Sequence, residues 1–164
     1  HRISKLIVNK LFGTLANKKI VVLGFAFKAN TNDTRESPAI NICKDLLEEG
    51  AFLVIHDPKV SSKQMRNELN LIPVNEYKVN NHQSLESKHG WIKSNNLIDS
   101  FNDADAIILL TEWEDYKNFK WDEISKKMRK PSWVFDTRSC VNKQEIINAG
   151  FNFWRIGSET NHFF

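Results

Sequence analysis

The 164 residues are 41% hydrophobic and 26% charged with a formal net charge of +3, the composition of an ordinary soluble domain with one core burying roughly 70% of the surface its unfolded chain exposes. The mild charge lacks the basic stripe of a nucleic-acid binder but suits a small anionic ligand. Two distant cysteines form neither a zinc set nor a disulfide framework, and no run reads as a secretory signal or membrane span.

The chain begins without a methionine and already in helical pattern, as an excised piece of something longer would. Ile3, Leu6, Ile7, Phe12 and Leu15 predict a lead-in helix over residues 2–16, so residues 1–17 precede a domain at 18–164. Ile20 to Leu23 is an apolar strand, and Gly24 opens a loop from Phe25 to Glu36, long for a strand-to-helix connection. Ser37 as N-cap and Pro38 as first residue start a helix that Gly50 stops. Ala39, Ile42, Cys43, Leu46 and Leu47 form its apolar stripe.

Phe52 to His56 is the second strand, ended by Asp57-Pro58. Ser61 or Ser62 caps a short helix to about Asn70. Between Leu71 and Asn96 the pattern weakens: Ile72, Val74 and Tyr77 suit one short strand, Trp91 and Ile92 another, with an exposed Asn-rich insertion between. Leu97, Ile98 and Phe101 mark a helix to about Asn102. Ala106 to Leu110 reads as a strand buried on both faces. A helix over Trp121–Met128, a strand at Trp133–Phe135, a helix capped by Asn142 and running to Asn148, and a last strand at Phe151–Ile156 complete the chain. Strands alternating with helices predict a Rossmann-like three-layer α/β/α sandwich around a mostly parallel six-stranded sheet, ordered 3-2-1-4-5-6 with the 20–23 strand central.

Ligands in such sheets sit at the carboxyl ends of the strands. Lys28 lies there, either against a phosphate or reacting oxygen or solvated on the surface. Arg35 and Glu36 form a local ion pair or offer a guanidinium to an anion. Asp57, Asp136 and Arg138 each end a strand on the same edge. The carboxylates are ligand-facing or cap their loops, and Arg138 can clamp a phosphate or sugar hydroxyl in two places. Trp113, Trp121 and Trp133 read as core. Gly24 is the one glycine of its loop, so no G-x-G-x-x-G cradles a pyrophosphate. Five scattered histidines offer no metal-ligand spacing, and neither cysteine nor any serine has a base nearby in sequence.

GFAFKANTNDTRESPA at 24–39, HDPKV at 56–60, TEW at 111–113 and FDTR at 135–138 together resemble the C-terminal nucleotide-sugar-binding domain of the UDP-glucose/GDP-mannose dehydrogenase family, over nearly the whole chain. D-T-R-E-S and T-E-W are closest to the UDP-glucose enzymes of eukaryotic type. The resemblance implies a longer enzyme that oxidises UDP-glucose to UDP-glucuronate with two NAD. The dinucleotide and the catalytic cysteine then belong to regions upstream, so no residue here is catalytic and none binds a metal. Phe27 and Lys28 are implied to contact the UDP-sugar, Arg138 to reach the sugar or its carboxylate product, and Arg35 to point across to NAD. Ser139-Cys140 departs from the basic or polar residue that usually follows Arg138. The family further implies a cytoplasmic homo-oligomer with no membrane or nucleic-acid partner. A sibling using UDP-N-acetylmannosamine or GDP-mannose, and a non-catalytic nucleotide-sugar-binding or assembly module, are the competing readings.

Overall fold

The computed structural model describes residues 2–76 and 89–157. Six strands, β1 (Lys19–Leu23), β2 (Phe52–His56), β3 (Gly90–Lys93), β4 (Ala106–Leu109), β5 (Trp133–Asp136) and β6 (Asn152–Arg155), lie side by side in the order β3-β2-β1-β4-β5-β6. Every pairing is parallel. The predicted order is therefore the one that forms. β1 is interior because both of its neighbours are apolar: Val21 aligns with Val54 on one side and Ile107 on the other. Ile20 through Leu23 have no exposed surface, as a strand covered on both faces requires.

Helices α1 (Arg2–Lys10), α2 (Pro38–Glu48), α3 (Ser62–Leu69), α4 (Leu97–Ser100), α5 (Trp121–Lys127) and α6 (Lys143–Asn148) fill the connections. Right-handed crossovers put α2 and α3 on one face and α5 and α6 on the other. The Ser37 hydroxyl accepts the Ala39 N–H, and the whole predicted stripe of α2 is buried. α3 carries a reciprocal cap between Ser61 and Gln64, which satisfies two otherwise orphaned donors. Cys43 is one of the core hydrophobes.

Two expectations are corrected. The lead-in helix ends at Lys10 rather than residue 16, because Phe12 and Gly13 turn left-handed (φ 69° and 84°) and Gly13 N–H closes on Val8 O at 2.8 Å. That turn throws Phe12 outward, 73% exposed, while Leu11 and Leu15 still reach the core. The strand expected around Ile72, Val74 and Tyr77 is absent from residues 72–76. Val74–Glu76 is a single 3₁₀ turn, closed by Glu76 N–H on the carbonyl of Pro73, which supplies no donor for a ladder. Tyr77 lies outside the described residues. The third strand is the predicted one at Trp91–Ile92, held to the preceding segment by Trp91 Nε1–H donating to Leu71 O at 2.9 Å.

Gly24 closes β1 at φ 99°, and a Cβ built there would stand 2.4 Å from Thr111 Cβ and 2.7 Å from Thr111 N. The missing side chain lets the chain leaving β4 cross the end of β1. Gly13 has a similar φ of 84° with open space around it, so the pair separates backbone strain from steric exclusion. Gly13→Ala should cost about 1 kcal/mol, and Gly24→Ala about 3 kcal/mol or more, because backbone rather than a flexible tip must shift. Urea unfolding measures both. Equal costs would show that the approach of Thr111 imposes no constraint.

Candidate functional site

The carboxyl ends of β1, β2, β4 and β5 converge at the point where the strand order reverses, between β1 and β4, which is where open α/β sheets hold ligands. Asp57, two per cent exposed, sits at its centre. Its Oδ2 accepts the N–H groups of Phe25 (2.8 Å) and Ala26 (2.9 Å) and the indole N–H of Trp113 (3.2 Å). Its Oδ1 accepts those of Lys59 (2.8 Å) and Val60 (3.0 Å). One carboxylate thus joins the loops after β1, β2 and β4. Thr111 reinforces the joint, its hydroxyl donating to Ala26 O at 2.9 Å. Beside Asp57, Tyr116 O–H donates to His56 O, and His56 Nδ1 lies 2.9 Å from the phenol oxygen. Burial pushes the imidazole below its ordinary value and the phenol upward.

Asp136, fully buried at the end of β5, works the same way. Its carboxylate accepts N–H groups from Arg138 (3.0 Å), Cys140 (3.0 Å) and Val141 (3.1 Å), and its Oδ2 lies 3.2 Å from Arg155 Nη2. Both strand-end carboxylates therefore shape loops; of the two readings open for them, the cap is the one that forms. Trp113 and Trp121 are buried as expected, and Trp133 stacks on Phe135 at 5.4 Å.

The loop from Phe25 to Glu36 is folded on itself and tied down at both ends. Ser37 Oγ donates to Phe25 O at 2.8 Å, Phe27 N–H to Asp33 O at 2.8 Å, and Gln64 Nε2 reaches Asn32 O from α3 at 3.0 Å. Phe27 is left 44% exposed, and Lys28 beside it is exposed. No described side chain forms an ion pair with Lys28. Arg35 pairs with Asp33 rather than Glu36: Nε meets Oδ1 at 3.0 Å and Nη2 meets Oδ2 at 2.9 Å. That guanidinium holds Asp33 down at about 2. Glu36 instead takes a left-handed turn (φ 58°) immediately before the cap.

Arg138 is brought to the same loop by a residue assigned no role above. Glu112 takes Arg138 Nε on Oε2 at 2.6 Å, and Arg138 Nη2 on that same oxygen, while Oε1 accepts the Ala29 N–H at 3.3 Å. Glu112 thus joins Arg138 to the loop that carries Phe27 and Lys28, through the Ala29 N–H that follows them. Arg35 lies at the other end of the loop, where its partner Asp33 also accepts the Phe27 N–H and senses the Lys28 charge. Only the position of T-E-W at the end of a buried strand hinted at Glu112. Cys140 is half-buried beside Asp136; burial and that carboxylate push its thiol up to about 12, which leaves it a poor nucleophile near neutral pH.

Comparison with known proteins matches this architecture. The model of the UDP-glucose/GDP-mannose dehydrogenase family, UDP binding domain, matches residues 21–143. The chain is 37% identical to UDP-glucose 6-dehydrogenase 2 of Arabidopsis thaliana, over 92% of this chain and 32% of that protein. It is 36% identical to UDP-glucose 6-dehydrogenase of Drosophila melanogaster, over 96% and 32%. Among solved structures, NDP-N-acetyl-D-galactosaminuronic acid dehydrogenase from Methanosarcina mazei superposes with a TM-score of 0.68 at 25% identity, covering 95% of this chain and 28% of its own. The chain spans about a third of the length of the curated relatives it matches.

The Glu112 carboxyl is pushed up by partial burial, but hydrogen bonds from its own N–H and that of Ala29, and the Arg138 guanidinium, outweigh this and leave it below its ordinary 4.5. Lys117 and the Cys140 thiol also sense its charge. Because the folded value is depressed, the stability it contributes is complete above pH 4.5 and is lost as the pH falls through the folded value. The Glu112 carboxyl carbon should titrate below 4.5 by NMR, and Arg138→Ala should raise its midpoint. An unmoved midpoint would show that the guanidinium does not stabilise the anion.

Proposed function

Because this chain belongs to the UDP-glucose/GDP-mannose dehydrogenase family, as its UDP-binding domain, we propose that it holds UDP-glucose for oxidation to UDP-glucuronate in a longer, NAD-dependent enzyme. The observation that carries this reading is that exposed Phe27, Lys28 and Arg138 stand on two loops joined through Glu112 at the strand-order reversal, inside the matched region. An exposed aromatic ring offers a face to a base or sugar, a compact ammonium meets a diphosphate as a point charge, and a planar guanidinium fits hydroxyls or the carboxylate product. Arg35, at the outer end of the same loop, is suited to a charge arriving from outside the domain. The identities of 36–37% to UDP-glucose 6-dehydrogenases favour UDP-glucose over a sibling sugar.

The dinucleotide does not fit this edge. Gly24 is packed against Thr111 rather than left open to a pyrophosphate. Asp57, which follows the second strand, is enclosed by five N–H donors and cannot bind a ribose hydroxyl. NAD would accept hydride in both oxidations from a seat on another part of the polypeptide. The same holds for the nucleophile and the base that two oxidations of an alcohol require. This chain contributes binding and orientation, within a cytoplasmic homo-oligomer.

Two measurements on the purified chain test the proposal. UDP-glucose should raise the melting temperature more than GDP-mannose or UDP-N-acetylmannosamine does, and NAD should not raise it. Saturation at 100 times the dissociation constant corresponds to about 2.7 kcal/mol. Absorbance should record no NADH from UDP-glucose and NAD. A shift with NAD alone, or turnover that disappears in Cys140→Ser, would contradict the assignment.

A further inference from the structure

Glu112 is out of place at an anion site. Its carboxylate stands against Arg138, where it opposes the approach of a diphosphate and occupies two N–H donors of the guanidinium. As an ion pair it contributes little to folding, since its side chain is 34% exposed and that of Arg138 is 32% exposed. Its anchoring is far stronger than a surface pair needs. The preceding residue, Thr111, is fixed through its hydroxyl to Ala26 O and through its N–H to Leu23 O. The second carboxylate oxygen is held by the Ala29 N–H, in the loop that carries Phe27 and Lys28. Apart from Glu112, Arg138 is held among the described residues at its backbone alone, by Asp136, and without Glu112 its long side chain would sample many rotamers.

We propose that Glu112 is the positioning residue of this site: it fixes the Arg138 guanidinium against the loop that carries Lys28 before the nucleotide sugar arrives. The inference rests on the nucleotide-sugar reading and deepens it. A guanidinium has five N–H donors. Glu112 takes Nε–H and one on Nη2, which leaves both on Nη1 and the outer one on Nη2 for a ligand. Arg138 is thereby presented through one edge and in one orientation, and the entropy of ordering it is lost on folding rather than on binding. The register of the arrangement comes from the sheet, because the β4 loop supplies Glu112 between the β1 loop that anchors it and the β5 loop that it orients.

The test is a double-mutant cycle on the whole chain, with UDP-glucose dissociation constants from amide shift titrations. Arg138→Ala should weaken binding by about tenfold, as loss of a charge-assisted contact does. Glu112→Gln keeps the size and an acceptor for Ala29 but frees the guanidinium, and it should weaken binding by about fivefold. The double variant should match Arg138→Ala within about twofold, since a residue acting through Arg138 has nothing left to position. The Arg138 Nε–H resonance should move in Glu112→Gln while the Phe25 and Ala26 amides stay in place. Glu112→Gln that binds more tightly, or that still weakens binding fivefold in the Arg138→Ala background, would overturn the inference and leave the nucleotide-sugar reading standing. A wild-type chain that ignores UDP-glucose would overturn both.

Discussion

The site depends on one buried carboxylate. Asp57 gives two oxygens to five N–H groups from three loops, and each of those donors would otherwise face a dry strand end. An unsatisfied buried donor costs about 1–3 kcal/mol, so several at once would exhaust the stability of a domain held by 5–15 kcal/mol. The negative charge is tolerated because the N–H dipoles replace its water shell. The arrangement also requires the backbone to arrive closely, which is why β1 ends in a glycine with Thr111 pressed against it. Gly24, Asp57 and Thr111 are therefore one constraint expressed at three positions.

The proposed ligand-facing residues are built outward from that constraint. Fixed at Phe25 and Ala26, the loop can expose Phe27 and Lys28, while Thr111 fixes where Glu112 and then Arg138 stand. A second carboxylate, Asp136, repeats the device one strand pair away and shapes the turn through Val141. Two buried acids thus act as structure, and the residues proposed for recognition are the exposed cations and aromatic ring. The division is chemical: acids can accept several backbone donors at once, whereas lysine and arginine only donate and so remain available to anions.

Much of this was legible in the residues. Alternation of apolar strands with capped helices gave the sheet and its order, because β1 and β4 are too uniformly apolar to lie at an edge. The ends of α2 followed from Ser37, Pro38 and Gly50. What escaped was chemistry decided across the fold. Phe12 has the helical spacing of a core residue, yet a left-handed turn at residues 12–13 exposes it. Val74 has strand propensity, but it follows a proline and joins a 3₁₀ turn. Arg35 has Glu36 as its sequence neighbour, one of two partners open to it, whereas its guanidinium meets Asp33. Glu112 lies 26 residues from Arg138, a separation no local pattern reports. The resemblance to nucleotide-sugar dehydrogenases singles out Phe27, Lys28 and Arg138, while the structure adds what holds the loops that carry them.

Native-state hydrogen exchange tests the central claim most directly, because it reads the five donors of Asp57 one by one. If that carboxylate is the joint of the site, the amides of Phe25, Ala26, Lys59 and Val60 and the indole N–H of Trp113 exchange only through global unfolding, with one common free energy. Exchange of these groups at separate, much lower free energies, as in independently mobile loops, would contradict it.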